Sequence, residues 1–173
     1  KSLLRNPLVA SPLSDFVDGV WHPVIDDVRA HEHASDIRHL ILCSGKIYID
    51  LISSAYRDQN ASTAIVRVEQ LYPLPDEELA TVIAGYPNVE EVAWVQEEPQ
   101  NMGAWEFMRE PLSELLGDKP LHYVGRAPSS SPAEGSSAWH AVKQEEIIKH
   151  AFEQYVKPVK TLSGQTPVLM ESR

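Results

Sequence analysis

The feature of the sequence that most constrains its fold is the alternation of short apolar runs with stretches of helical periodicity. The runs predict strands at residues 20–25, 39–43, 64–71, 89–96 and 121–125. Apolar residues three and four apart predict helices at residues 46–58, 76–85, 102–116 and 137–156. Because strands separated by crossover helices pair in parallel, the chain is predicted to be an α/β protein with a mainly parallel sheet and helices on both faces.

Length and composition predict a single domain. The chain has 173 residues, of which 43% are hydrophobic and 23% are charged, as is typical of one globular domain. We place the α/β domain at residues 1–156, and expect a polar insertion at residues 26–36 and a flexible tail at residues 157–173 to lie outside its packed core. The sequence opens on Lys1, in what has the pattern of a loop and helix already under way, so we expect a segment of a longer polypeptide.

The charge balance and the single cysteine limit the partners and the compartment. A formal net charge of −10, with no basic patch, predicts no binding to nucleic acid or to an anionic membrane. No apolar run approaches the roughly 18–20 residues of a membrane span. Cys43 lies in an apolar run and cannot form an intrachain disulfide, so we expect a buried thiol and a reducing cytoplasm.

Two loops at predicted carboxyl ends of strands are candidates for binding an anion, because ligands of such sheets usually bind there. In residues 44–46, Ser-Gly-Lys, free helix amides and a lysine favour an anion; the alternative is a plain turn. In residues 125–137, Arg126 and three serines surround an anionic group if the loop folds back. The alternative for this loop is a flexible proline-serine connection.

Neither metal binding nor nucleophilic catalysis is predicted. His31, His33 and His39 lack the spacing of a helical metal site, and a solvated loop accounts for them. The chain has no Gly-x-Ser-x-Gly elbow, and Cys43 has no evident neighbouring base. We therefore assign no catalytic, cofactor-binding or metal-ligating residue to the chain.

Residues 96–105, QEEPQNMGAW, end a predicted strand and start a loop. The adjacent side chains of Glu97 and Glu98 should point to opposite faces, which excludes a shared acid/base pair. Gly103 permits a close approach, and methionine and tryptophan are enriched at interfaces. Against the alternative of a solvated strand end, we predict an interface with the candidate residues Gln96, Glu97, Glu98, Asn101, Met102 and Trp105.

Several motifs occur in an order that resembles one enzyme family. They are KSLLRNP, HLILCSGKIYIDL, VRVEQLYPLP, YPNVEE, WVQEEPQNMGAW, YVGRAPSSSPAEGSS and HAVKQEEIIKHAF, within residues 1–153. This part of the chain resembles the carboxyl-terminal domain of the decarboxylating first component of 2-oxoglutarate dehydrogenase, a thiamine-diphosphate-dependent enzyme. The resemblance implies a transketolase C-terminal-domain-like fold that packs in a homodimer.

The resemblance also implies the activity of a parent enzyme. Such a parent decarboxylates 2-oxoglutarate in the citric acid cycle and passes the succinyl group to the lipoyl arm of the second component, in a complex with lipoamide dehydrogenase. Thiamine diphosphate and Mg²⁺ bind in earlier domains, so this segment alone is expected to be inactive and to have a structural or regulatory role. The expected compartment is the bacterial cytosol or, in a eukaryote, the mitochondrial matrix; a preference for 2-oxoadipate stays an open alternative.

Related actinobacterial enzymes, by the same resemblance, respond to acetyl-CoA through this domain. They carry a second basic residue beside the arginine that Arg126 resembles, where this chain has Gly125. We predict acetyl-CoA or AMP as an effector, with the candidate residues Lys46, Arg67, Arg126, Ser129, Ser130 and Ser131. The alternative to a dehydrogenase domain is a free-standing, non-catalytic module that senses CoA or an adenine nucleotide.

Overall fold

The computed structural model of the chain describes residues 3–153, which build one five-stranded sheet in the order β1-β3-β2-β4-β5. Its strands are β1 (Val24–Ile25), β2 (His39–Cys43), β3 (Thr63–Val68), β4 (Glu91–Pro99) and β5 (Leu121–Arg126). The last four run parallel, and the short β1 pairs antiparallel with β3 at one edge. The predicted α/β class with a mainly parallel sheet is therefore confirmed.

Helices connect the parallel strands, although one predicted helix is divided. The helices are α1 (Val28–His31), α2 (Ile47–Ile52), α3 (Ala55–Gln59), α4 (Asp76–Ala84), α5 (Trp105–Leu116) and α6 (Ser137–Phe152). Between α2 and α3, the hydroxyls of Ser53 and Ser54 donate to the carbonyls of Ile49 and Leu51, at 2.6 and 2.8 Å. Such side-chain bonds compete with helix continuation, so residues 46–58 do not form the single helix that their periodicity predicts.

Helices cover the sheet on both faces, because side chains of its central strands alternate between two apolar clusters. In β2, Leu40 and Leu42 join the cluster that contains α4 and α5 residues, whereas Ile41 and Cys43 join the cluster that contains α2 and α6 residues. All residues of β2 are buried. Burial raises the pKa of the Cys43 thiol above its ordinary range, and the predicted buried cysteine is confirmed.

The polar insertion at residues 26–36 is mostly exposed, but it buries Asp27 and Ala30 against the sheet, so it does not lie wholly outside the core as the sequence suggests. Asp27 is buried, pairs with Arg57 and accepts a hydrogen bond from the Ile65 amide of β3 at 2.9 Å. Its other carboxylate oxygen caps α1 by accepting from the Arg29 amide at 3.1 Å. A buried carboxylate requires such partners, and these partners fix the segment against β3.

An exposed arm precedes the sheet and a long helix follows it. The arm, residues 3–22, contains three short 3₁₀ helices, at Leu3–Arg5, Pro7–Val9 and Leu13–Phe16. α6 begins after Ser136, whose side chain accepts a hydrogen bond from the Trp139 amide. The predicted helix end at residues 154–156 and the predicted tail at residues 157–173 lie outside the described residues. Among residues 3–153, no helix is long and apolar enough to cross a membrane.

Candidate functional site

The candidate residues meet at the carboxyl ends of the parallel strands, around the end of β4. The pairing of β4 with β5 shifts between Val95 and Pro99, an irregularity of the kind that redirects side chains. Gln96 and Glu98 line a cleft beside α5, whereas Glu97 contacts α6 on the opposite side. The predicted opposite orientation of the two glutamates is confirmed, and they share no site.

Gln96 is a buried amide that holds the loop after β4 in place. Its oxygen accepts hydrogen bonds from Trp94 Nε1 at 3.0 Å and from the Trp105 amide at 2.9 Å. Its nitrogen donates to three loop carbonyls, those of Glu98 (3.3 Å), Pro99 (3.2 Å) and Met102 (2.7 Å). Because the whole amide is bonded within the chain, Gln96 is a structural residue and not the interface contact that the sequence suggests.

Trp105 and Gly103 also belong to the interior of this loop. Trp105 is 5% exposed, and its ring centroid lies 5.3 Å from that of Tyr123. Gly103 has a φ of +66°, and a Cβ there would lie 2.9 Å from Gln96 Nε2. The close approach predicted at Gly103 is therefore to the chain's own loop. Trp105 is covered by its own chain, which corrects its assignment as an interface anchor.

The other interface candidates keep some exposure. Glu98 and Asn101 are exposed, and Met102 and Glu97 are half-buried. Asn101 links two loops, since its amide donates to the Ser129 carbonyl at 3.0 Å and its oxygen accepts from the Ser129 amide at 2.9 Å. An interface through the exposed members of this stretch stays a prediction.

Glu97, Lys46, Asp50 and Gln144 form a closed polar group, here called the Lys46 cluster. Lys46 pairs with Asp50 and lies 3.5 Å from Glu97 Oε1. Gln144 Nε2 donates to Glu97 Oε1 at 2.8 Å and to Asp50 Oδ2 at 2.9 Å. Burial alone lowers the pKa of Lys46, but the hydrogen bond to Asp50 and the charge of Glu97 raise it above its ordinary value. Any anion binding Lys46 has to compete with two carboxylates.

Arg126 is bonded to its own chain at the end of β5. Its side chain is 9% exposed, and its guanidinium donates to the Glu97 carbonyl. One terminal nitrogen of the guanidinium lies 3.1 Å from His140 Nδ1. The same nitrogen donates a hydrogen bond to Gln144 Oε1 at 3.4 Å. The Nε atom has no hydrogen-bond partner among residues 3–153 and lies 3.4 Å from Glu134 Oε1. This arginine therefore joins β5 to β4 and α6.

The loop after Arg126 folds back over the guanidinium, a condition of the anion hypothesis. The resulting cleft has a volume of about 510 Å³, and its walls include Ser129, Ser131, Lys143 and His150. Ser130 is exposed in the same loop. At Gly125, a Cβ would lie 2.2 Å from Tyr123 Oη, so this backbone has no room for a second basic side chain beside Arg126.

Arg67 lies apart from the other effector candidates. Its strand, β3, is separated from β5 by β2 and β4. The guanidinium carbon stacks 4.5 Å from the centroid of the Tyr48 ring, and Nε lies 3.6 Å from Glu69 Oε1. The structure thus brings Arg126 near Ser129 and Ser131 but not near Arg67. An effector role for any of these residues stays a prediction.

The histidines have separate environments, and one of them corrects the sequence interpretation. His39 is buried in β2, with Nε2 3.0 Å from the Ala151 carbonyl and Nδ1 3.2 Å from Glu91 Oε1, so it is not a loop residue. Burial lowers its pKa. His31 lies 2.8 Å from an Asp26 oxygen at the surface.

The described residues do not provide a fitting site for Mg²⁺. Within residues 3–153, no three His, Cys, Asp or Glu side chains are grouped as ligands. The carboxylates of Asp50 and Glu97, which lie at the usual ligand position of such a sheet, already face the ammonium of Lys46. The donor set is therefore that of a closed ion-pair cluster.

A cleft that the sequence analysis missed opens on the Glu98 side; we call it the aromatic cleft. Its volume is about 560 Å³, and its walls include Leu71, Tyr72, Trp94 and Phe107. The rings of Tyr72 and Phe107 meet edge to face, with centroids 6.3 Å apart. Within the described part of the chain, the Glu98 carboxylate has no ion-pair partner. One feature of the sequence could have indicated this cleft: Phe107 is an aromatic residue of α5 that lies outside the buried face of the helix.

Comparison with known sequences gives consistent matches over this domain. A sequence model described as 2-oxoglutarate dehydrogenase C-terminal matches residues 10–152. The chain is 44% identical over 154 residues to the 2-oxoglutarate dehydrogenase E1 component of Geobacillus sp. (strain WCH70). It is 45% identical over 155 residues to that of Shouchella clausii and 43% identical over 156 residues to that of Azotobacter vinelandii.

The chain is much shorter than these relatives. Each alignment covers 88% of this chain and 16% of the relative, so the chain spans about one sixth of their length. Among solved structures, a split-gene transketolase described as an inactive beta4 tetramer aligns with a TM-score of 0.47 and 14% identity. That alignment covers 66% of this chain and 37% of the other.

Proposed function

The chain belongs to the family of 2-oxoglutarate dehydrogenase C-terminal domains, and from this membership we propose that it is a structural and regulatory domain of a 2-oxoglutarate dehydrogenase E1 component. The observation that carries the proposal is the family match over residues 10–152, which includes every parallel strand of the sheet. The polar groups at the strand ends support a non-catalytic role, because they are bonded within the chain. Glu97 faces Lys46 and accepts a hydrogen bond from Gln144, and Arg126 donates to the Glu97 carbonyl.

The parent enzyme, in this proposal, decarboxylates 2-oxoglutarate with thiamine diphosphate and Mg²⁺ that other domains bind. It transfers the succinyl group to the lipoyl arm of the second component, works with lipoamide dehydrogenase in the citric acid cycle, and acts as a homodimer in the cytosol. The high identity to three bacterial E1 components supports the assignment. No step of the reaction is assigned to a side chain of this domain.

A domain replacement tests the proposal. In the E1 component of Geobacillus sp. (strain WCH70), the region that aligns with this chain is exchanged for residues 10–152, and NADH formation is measured with the second component, lipoamide dehydrogenase, CoA and NAD⁺. We expect the chimera to retain activity and the isolated chain, supplied with thiamine diphosphate and Mg²⁺, to show none. Turnover by the isolated chain, or an inactive chimera that is folded and binds thiamine diphosphate, contradicts the proposal.

A regulatory site is a second candidate function, favoured by the cleft beside Arg126. Its walls include the ammonium of Lys143 and the imidazole of His150, and the amides that open α6 lie at the end of the same loop. We propose that the phosphates of acetyl-CoA or AMP bind there and displace Glu134 from Arg126. The alternative function, a free-standing module that senses CoA or an adenine nucleotide, would use the same cleft without a parent enzyme.

Calorimetric titration of acetyl-CoA and AMP into the chain tests the regulatory site. Because one charge-assisted hydrogen bond contributes about 1.5–3 kcal/mol, we expect Arg126→Ala to weaken binding about ten- to a hundred-fold. The matched control is Arg109→Ala, which removes an exposed arginine from α5. Absence of binding at millimolar ligand, or equal affinity of Arg126→Ala and the native chain, rejects the site.

A further inference from the structure

The first half of β3 lies at an edge of the sheet that no strand of the described chain covers. Within residues 3–153, the short β1 pairs with β3 only at Val68 and Arg67. The backbone groups of alternate residues in a strand point to opposite sides, so those that do not bond to β2 point outwards. An edge of this kind is a template on which a strand of another molecule can pair. The outward groups of Thr63 and Ile65 therefore need another form of protection.

The outward backbone groups at this edge are bonded to other parts of the same chain. The Thr63 amide donates to the Asn60 carbonyl at 3.2 Å. The Thr63 carbonyl accepts a hydrogen bond from the Arg57 guanidinium at 2.8 Å. The Ile65 amide donates to Asp27 Oδ2 at 2.9 Å. These are groups with which a neighbouring strand would bond, so the edge is closed over residues 63–65 by a turn and two side chains.

Asp27 and Arg57 together reproduce the bonding of one strand residue. In a parallel ladder, a residue donates to a carbonyl of its neighbour and accepts from the amide two positions further on, as Arg57 and Asp27 do at residues 63 and 65. The two side chains also pair with each other and are only 5% and 8% exposed. Because desolvation often offsets the attraction within a buried ion pair, stability alone does not account for this one. Its bonds to the β3 edge give it a role in specificity.

We propose that the Asp27–Arg57 pair takes the place of a neighbouring strand and prevents the β3 edge from pairing with an extended segment of another molecule. A cleft of about 470 Å³ lies outside the pair, and its walls include Arg57 and Thr63, so the edge can be approached from solvent. A strand that enters this cleft meets backbone groups that are already bonded. The polar insertion supplies the acidic member of the pair, and α3 supplies the basic member.

Replacing the pair by apolar residues tests the proposal, because Asp27→Leu/Arg57→Met removes both edge bonds without leaving a charge buried. The control, Asp58→Leu/Arg29→Met, removes an exposed pair that joins the same two segments and changes the same charges. Folding is checked by circular dichroism, and sedimentation velocity over a range of concentrations measures self-association. The edge variant should self-associate about tenfold more tightly than the native chain, as roughly two regained backbone hydrogen bonds allow. The control should match the native chain.

Amide hydrogen exchange identifies the surface through which the edge variant associates. The Ile65 amide should exchange faster in the dilute variant than in the native chain, and should be protected again in the assembly, where another strand accepts from it. A folded edge variant that associates no more than the native chain or the control overturns the proposal, and so does an assembly in which the Ile65 amide stays unprotected. If the apolar variant does not fold, Asp27→Ala is compared with Asp58→Ala in the same measurements, and the same outcomes decide.

Discussion

The two sides of the β4 end place adjacent glutamates in opposite situations. Glu97 is half-buried, accepts a hydrogen bond from Gln144 and faces Lys46, so its charge is compensated within the chain. Glu98 is exposed at the aromatic cleft, and none of the described residues pairs with its carboxylate. One residue of sequence thus separates a closed polar cluster from an open surface.

The difference teaches that an acidic pair in sequence need not be one functional unit. Strand geometry sends neighbouring side chains to opposite faces, and each face then has its own requirements. On the α6 side, partial burial requires partners for every charge. On the α5 side, Gln96 supplies the hydrogen bonds that the buried polar groups of the loop need. The Glu98 side chain is not required for them and is available to another molecule.

The largest expected effect is on the unfolding free energy, and it tests whether Trp105 belongs to the core or to an interface on the α5 side. Trp105→Ala should destabilise the chain by about 3–5 kcal/mol, because it removes a buried aromatic side chain from the core. Phe107→Ala, an exposed aromatic on the same helix, is the control and should cost much less. Urea unfolding of both variants measures the difference. If the Trp105→Ala chain is as stable as the native one, the core assignment is contradicted and the interface assignment is supported.

The next effect concerns the closed cluster and its dependence on pH. Lys46→Met should destabilise the chain by about 1–2 kcal/mol at neutral pH, since Asp50 and Glu97 then face each other without a cation. The pKa of Lys46 is raised in the folded chain, so its contribution is complete below the ordinary lysine pKa and is lost as the pH rises through the folded value.

The difference in unfolding free energy between native chain and Lys46→Met should therefore be constant around neutrality and shrink in alkaline solution, above a pH of about 10.4. Lys149→Met, which removes an exposed lysine with a longer ion pair to Glu153, is the control and should change stability little at any pH. A Lys46 effect that grows as the pH rises contradicts the cluster.

Most of the sheet could be predicted from local sequence, because a strand buried on both faces is a continuous apolar run. The predicted strand at residues 39–43 agrees with β2 to the residue. The division of the helix between α2 and α3 and the packing of Asp27 were not predictable in this way. They depend on a serine hydroxyl bond and on a pairing with Arg57, which local periodicity does not contain.

The candidate site was predictable in part, and for the same reason. Opposite orientation of Glu97 and Glu98 follows from strand geometry alone. The partners of Gln96 and the hydrogen bond from Arg126 to the Glu97 carbonyl join residues up to 29 positions apart, so they appear only once the chain is folded. Gln96 and Arg126, which seemed available to a partner or a ligand, are therefore already bonded within the chain.

The most direct test of the division at the β4 end is equilibrium unfolding in urea of Glu97→Gln and Glu98→Gln, side by side, at a protein concentration where the chain is monomeric. We predict that Glu97→Gln lowers the unfolding free energy by about 1 kcal/mol, because the Lys46 ammonium loses a charged partner. Glu98→Gln should stay within about 0.5 kcal/mol of the native chain, as exposed substitutions usually do. Equal effects of the two substitutions, or a larger effect of Glu98→Gln, would contradict the account.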